Sequence, residues 1–112
     1  MSNQNFTIEN GIAKGRLKRG FKIGNAEHFD FEMREYDVGD LMDAEGETHI
    51  SAVIAFNAQL MVRQLIRIGD FKGPFTSGQL RKLAPVDWRI LRAAQTELEK
   101  LGEDEPASSE AS

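Results

Sequence analysis

Few residues in this 112-residue chain could carry out chemistry. The chain has two histidines, His28 and His49, and no cysteine. His28 falls in a strand-like run and His49 at the expected start of a helix, and neither has a further ligand at metal-binding spacing. The glycines do not form a phosphate-binding loop between a strand and a helix. We therefore predict a protein without enzymatic activity, metal or cofactor, in which both histidines are surface or capping residues.

An acidic group is the next candidate site. Its four carboxylates lie close together, at Asp40, Asp43, Glu45 and Glu47. The group lacks the glycine turn and the ligand order of a calcium-binding loop. Asp37 is a suitable N-cap, and an acid three residues later would suit the first turn of a helix. We interpret the group as the exposed face of a short helix over residues 38–45.

Basic residues in the first third of the chain could bind phosphate groups. Five of them fall in one alternating run, at Lys14, Arg16, Lys18, Arg19 and Lys22. A solvated sheet face paired with Asp30 and Glu32 explains them better. The net charge of −4 comes from four acids in the last ten residues, which leaves 14 acids (18 minus 4) against 14 bases. Since the remainder is near neutral, we predict no nucleic-acid partner.

The alternating pattern between Lys14 and Tyr36 predicts a β-hairpin. A two-residue turn would place Phe21 opposite His28 and mix apolar with charged faces. A three-residue loop over residues 24–26 would place Phe21 opposite Phe29 and keep like faces together. We therefore predict the three-residue loop.

A long uncharged stretch follows, and it predicts a central helix over residues 48–68. One face carries a stripe of apolar residues, namely Ile50, Ile54, Met61, Leu65 and Ile68. The other face carries Ala52, Phe56 and Leu60 and continues into Arg63. Both faces therefore need cover, from the fold or from a partner. The stretch is too short to cross a bilayer, so no membrane partner is predicted.

Two further helices are indicated after this stretch. Thr76 and Gln79 have capping-box spacing, which predicts a short helix over residues 77–83. Pro85 suits the first turn of a last helix. Trp88 falls off the apolar stripe of that helix, whose members are Val86, Ile90, Leu91, Ala94, Leu98 and Leu101. The two helices superficially resemble a helix-turn-helix, which keeps a small DNA-binding regulator open as an alternative.

Together these elements predict an α+β fold, an N-terminal β-hairpin followed by three to four helices packed around a central apolar helix. Residues 1–13 are predicted to be a flexible N-terminal segment, with an edge strand at Phe6 and Ile8 as the alternative. Residues 14–102 form the single domain. Residues 103–112 form an acidic tail that cannot bury apolar surface and is predicted to be disordered.

The order of short motifs resembles that of the tail assembly chaperone family of Mu-like and P2-like phages. In that family a strand ends in a leucine-arginine pair, and Met33–Arg34 stands in its place. In the family, a proline-threonine pair and then an aspartate follow. In this sequence Tyr36–Asp37 replaces the proline-threonine pair, and Asp40 matches the aspartate. The later Leu-x-x-Leu-x-x-x-Asp pattern is matched by three residues, Leu80, Leu83 and Asp87.

The resemblance implies a cytoplasmic assembly factor, made in a bacterial host during phage growth or from a prophage. Such proteins bind the hydrophobic tape measure protein, keep it soluble and assist assembly of the tail tube protein around it. We predict a partner-binding surface for the tape measure or a second copy of this chain, formed by Ala52, Phe56, Leu60, Arg63 and Trp88. One alternative is that the hairpin covers Phe56 and Leu60 and the loop over residues 71–75 covers Trp88. Another is that the chain is a virion structural tail protein.

Overall fold

The computed structural model describes residues 5–49 and 51–110, with side chains described through Leu101. The described part has four strands and four helices, so the predicted α+β class is confirmed. In chain order they are β1 (Phe6–Glu9), β2 (Ile12–Ile23), β3 (Ala26–Arg34), α1 (Val38–Glu47), α2 (Val53–Gln64), β4 (Leu65–Ile68), α3 (Ser77–Leu80) and α4 (Pro85–Glu110). The sheet is antiparallel throughout, in the order β1-β2-β3-β4.

The core lies between one face of the sheet and the helices, with α4 contributing more buried residues than α2 or α3. Leu91 and Ala94 of α4 are fully buried, as the predicted stripe requires, and they belong to the same cluster as Phe31 and Met33 of β3. Gly15 of β2 allows β1 and the side chain of Phe31 to approach this strand closely, because a Cβ there would lie 2.6 Å from Cβ of Phe6 and 2.8 Å from Cζ of Phe31. Burial of this apolar face stabilises the packing of α4 on the sheet.

Strand β1 falls within the segment 1–13 that we predicted to be flexible. Residues 6–9 instead pair with β2, with Phe6 opposite Gly15, so the structure has the edge strand that was the alternative. Phe6 is buried, and its burial together with the strand hydrogen bonds explains why this segment is ordered. Residues 1–4 lie outside the described residues.

The hairpin between β2 and β3 has a different register from the one predicted. Ile23 pairs with Ala26 and Phe21 with His28, so the turn has two residues and the three-residue loop was wrong. The prediction assumed two regular strands. In the structure, β2 is irregular and places residues 17–20 opposite Phe29 alone, which restores the matching of faces beyond the irregular segment.

Helix α2 is shorter than the helix predicted over residues 48–68. It ends at Gln64, and the next four residues form β4, which pairs with β3. Leu65 and Ile68 are buried, as the helical stripe predicted, because a register shift at Ile66, which has no partner on β3, brings both to the core side. Ile54, by contrast, is 70% exposed. Ile50 lies outside the described residues.

Capping predictions agree with the structure at each helix start that they concerned. Asp37 and Asp40 form a capping box on α1, and Thr76 and Gln79 form one on α3. Helix α4 begins at Pro85 and continues to Glu110, into the segment predicted to be disordered. Residues 111 and 112 lie outside the described residues, and the division of the chain into 1–13, 14–102 and 103–112 stays a prediction.

Candidate functional site

The arginine of the Met33–Arg34 motif joins three elements. Its guanidinium group donates hydrogen bonds to both carboxylate oxygens of Asp40, at 2.9 and 3.2 Å, and to the carbonyl oxygen of Arg63, at 2.6 Å. The end of β3, the first turn of α1 and the last turn of α2 are thereby linked. The hydrogen bond from Arg34 lowers the pKa of Asp40, and the same hydrogen bond raises the pKa of the guanidinium group.

This ion pair predicts a specific dependence of stability on pH. Because the pKa of Asp40 is lower in the fold than in the unfolded chain, its stabilising effect is complete above the unfolded value of about 3.9. That effect is lost as the pH falls further, through the lowered pKa. Urea unfolding of wild type and Asp40→Asn should therefore differ most near neutral pH and converge in acid.

Asp43→Asn is the control for this experiment, since Asp43 is an exposed carboxylate on the same helix. Its free energy of unfolding should stay close to that of wild type across the same range. A difference between wild type and Asp40→Asn that does not change with pH would contradict the assignment.

Asp87, the last residue of the matched motif, is fully buried in the first turn of α4. Its carboxylate accepts hydrogen bonds from three successive backbone N–H groups of β2, those of Lys18, Arg19 and Gly20, at 2.7, 2.9 and 2.8 Å. Gly20 has a φ of 102°, a conformation that glycine adopts without strain. The aspartate therefore holds the irregular segment of β2 against α4.

Two buried glutamines connect α2 with α4. Gln95 donates from Nε2 to Oε1 of Gln64 at 2.8 Å and to the carbonyl oxygen of Asn57 at 3.2 Å. Gln64 donates in turn to the carbonyl oxygen of Arg34 at 2.9 Å. Sequence reasoning missed this pair. The available signal was an uncharged polar residue beside an apolar stripe on each helix.

The predicted partner-binding residues do not form one surface. Ala52 is exposed, Phe56 and Arg63 are half-buried, and Leu60 is 4% exposed. Leu60 lies outside the main core cluster, as does the buried Ala44 of α1. Because α1 packs on α2, we infer that α1 covers Leu60 on this side of α2, where the alternative prediction placed the hairpin. Leu60 is therefore not available to a partner.

Trp88 lies in a groove on the other side of α2. The groove has a volume of about 280 Å³ and is mainly apolar; its lining includes Ile54, Ala58, Leu80, Leu83, Pro85 and Trp88, with Arg81 beside them. Ile54 and Arg63 are nine residues apart, about two and a half helical turns, so they point to opposite sides of α2. We call this surface the α2–α3–α4 groove.

The described part of the chain contains neither a metal-binding cluster nor a membrane-spanning helix. Within residues 5–49 and 51–110, no three histidine, cysteine or carboxylate side chains come together in a way that could hold a metal ion. No helix in that part is long and apolar enough to span a bilayer.

The sequence family described as "Tail assembly protein gp41" matches residues 17–110. The chain belongs to this family. The resemblance to Mu-like phage tail assembly proteins is thus confirmed. In this chain, the matched motif residues Arg34, Asp40 and Asp87 hold secondary-structure elements together.

Three relatives give the match its detail. The probable tail assembly protein gp41 of Escherichia phage Mu is 28% identical over 102 residues, which cover 78% of this chain and 69% of the relative. The probable tail assembly protein FS-gp41 of the same phage is also 28% identical, with 53% of its length covered. The Mu-like prophage FluMu protein gp41 of Haemophilus influenzae is 32% identical over 83 residues, which cover 63% of this chain and 65% of the relative.

The chain thus spans about half the length of FS-gp41 and about two thirds of the other two relatives. No solved structure matches it significantly.

Proposed function

We propose that this chain is a phage tail assembly chaperone that acts in the host cytoplasm by binding, without enzymatic activity. Its client would be an apolar helical segment of the tape measure protein, which it keeps soluble while tail tube protein assembles around it. Membership of the tail assembly family supports the general role. The observation that carries the specific proposal is the α2–α3–α4 groove, where Ile54 exposes 70% of its surface.

The shape and lining of the groove suit an amphipathic helix. Such a helix binds through apolar side chains spaced three and four residues apart, which enter an apolar groove between helices. Trp88 offers a large, rigid contact surface, and tryptophan is enriched among residues that dominate binding energy. Val53, beside Ile54, is 61% exposed, so the apolar surface continues beyond the groove. A surface of this kind in a soluble protein is typical of an interaction site.

The first test is coexpression with the tape measure protein. We expect the tape measure protein to remain soluble and copurify with wild type, and Ile54→Asp to reduce the copurified amount at least about tenfold, since a charge in an apolar contact costs more than 1.4 kcal/mol. Because Ile54 is exposed, this variant should fold normally. Ile66→Asp is the matched control, since it is the same substitution at an exposed isoleucine that lies on β4, outside the groove.

Trp88 provides an independent readout, since it is the only tryptophan of the chain. Titration with a tape measure fragment should shift its fluorescence to shorter wavelength as the indole loses contact with water. Equal copurification with Ile54→Asp and Ile66→Asp would overturn the assignment to the groove. Detection of the chain in purified virions would instead indicate a structural tail protein.

A further inference from the structure

The bases of this protein fall into two groups. Between side chains that the structure describes, six ion pairs use six of the 14 bases, namely Lys14, Arg16, Lys22, Arg34, Arg67 and Lys100. Among the described residues, Lys18, Arg19 and Arg89 form no ion pair. The backbone N–H groups of Lys18 and Arg19 contact Asp87, and Arg89 follows Asp87 by two residues. The carboxylate of Asp87 is buried and accepts hydrogen bonds from backbone N–H groups, so it forms no ion pair with these bases. All three bases are exposed.

Two of these bases border a small apolar depression. It lies between β1, β2 and the first turns of α4, has a volume of about 260 Å³, and is lined in part by Phe6, Lys18, Val86, Arg89, Ile90 and Ala93. Its exposed lining is mostly apolar, with Lys18 and Arg89 at its rim. We call this surface the basic depression. It is distinct from the α2–α3–α4 groove, and the two share no lining residue.

Helix α1 presents the opposite chemistry. It contains four acids and no base, and its buried residue, Ala44, faces away from solvent. On the outer side, Val38 and Met42 expose 67% and 65% of their surface and are one turn apart. Asp43 and Glu45 lie beside Met42 and form no ion pair with the described residues. The outer face is thus an apolar strip bordered by carboxylates.

We propose that the outer face of α1 from one copy of this chain docks in the basic depression of a second copy. Val38 and Met42 would enter the apolar floor, while Asp43 and Glu45 would meet Lys18 and Arg89 at the rim. The two surfaces are therefore complementary both in their apolar area and in their charge.

Helix α1 cannot bring this face to the depression of its own chain, because α1 packs on α2 with the outer face turned away. The contact joins two different surfaces, so it is head-to-tail and generates rings or rows of copies. The α2–α3–α4 groove stays open in each copy, and a row would present repeated grooves to a long helical client. The self-association itself does not depend on the proposed client.

Sedimentation equilibrium of the full chain tests the proposal. In wild type, the average mass should rise above that of a single chain as concentration increases at about 0.01 M salt, and return to it at about 1 M salt, where charges are screened within about 3 Å. K18E/R89E and D43K/E45K should each weaken association by roughly tenfold or more, because both place like charges at the contact.

An equimolar mixture of the two variants provides the decisive measurement. Each variant repels itself, but in the mixture both kinds of contact again join opposite charges, so association should recover to near the wild-type level. Failure of the mixture to recover, with both variants folded by circular dichroism, would overturn the proposal. The milder pair K18Q/R89Q and D43N/E45Q, which should weaken association without reversing it, serves if a reversal variant does not fold.

The matched control is K72E/R81E, which changes the net charge by the same amount away from the depression. Normal association of K72E/R81E supports the proposal. Loss of association in this control alone would place the second copy in the α2–α3–α4 groove and overturn it. A wild type that stays a single chain but binds a short DNA duplex, with the binding lost in K18E/R89E, would assign the depression to nucleic acid instead.

Discussion

We expect Asp87→Asn to lower the free energy of unfolding by about 2–4 kcal/mol, measured by urea denaturation. The asparagine has nearly the same shape but no charge, and only one of its two terminal atoms can accept hydrogen bonds. The aspartate accepts from Lys18, Arg19 and Gly20 with both oxygens. The variant therefore leaves at least one backbone N–H group without its acceptor in a fully buried place.

Hydrogen exchange locates the effect in the molecule. The amides of residues 18–20 should lose protection in Asp87→Asn even under conditions where the rest of the sheet stays protected. Asp70→Asn is the control, since Asp70 is an exposed carboxylate in a loop, and its free energy of unfolding should stay within about 0.5 kcal/mol of wild type. Equal stability of the two variants would mean that other contacts hold the irregular segment of β2.

This role of Asp87 explains why the hairpin register could not be predicted from the sequence. The irregular segment has its hydrogen-bond acceptor 67 to 69 residues further along the chain. A pairing rule applied to the two strands alone uses only their alternation of apolar and polar residues. It therefore selects the turn that suits two regular strands. Capping by Asp37 and Thr76 was predictable for the opposite reason, because each cap and its partner lie three residues apart.

For the candidate site, too, the local features were predictable from the sequence and the long-range contacts were not. The excess of apolar surface on the helix that became α2 was visible in the sequence, and so was the position of Trp88 off the stripe of α4. Which side of α2 remains open depends on where α1 docks, and that is a tertiary contact. Leu60, predicted on the partner-binding face, is buried on the side where we infer that α1 packs, whereas Ile54, predicted on the core-facing stripe, is exposed.

The change from helix to strand at Leu65 has a similar cause. Leu65 and Ile68 are three residues apart. This spacing places two side chains on one face of a helix, and it also places them on one side of a sheet when the strand is irregular. The edge of β3 supplies hydrogen bonds that a helix would otherwise make within itself, and β-branched Ile66 and Ile68 favour the strand. The pairing partners of β4 on β3 are 32 to 37 residues away, from Met33–Leu65 to Phe31–Ile68, so local periodicity could not reveal them.

The second large effect is expected at the buried glutamine pair. Gln95→Leu should lower the free energy of unfolding by about 1–3 kcal/mol, because it removes the donor from Oε1 of Gln64 and from the carbonyl oxygen of Asn57. Leucine fills much of the same volume, so the loss reports unsatisfied polar groups more than a cavity. Thr96→Val is the control, a substitution of a half-buried neighbour on the same helix whose hydroxyl makes only a long contact of 3.4 Å with Arg92.

A double-mutant cycle separates the pair from its surroundings. Gln64→Leu with Gln95→Leu removes both members of their mutual hydrogen bond, so the double variant should be less destabilised than the sum of the two single variants by about 1 kcal/mol or more. It should not regain wild-type stability, because Gln64 also donates to the carbonyl oxygen of Arg34. Strict additivity would show that the two amides act separately. Helices α2 and α4 form two walls of the α2–α3–α4 groove. Coupling would show that the contact between these helices depends on a buried pair of polar side chains.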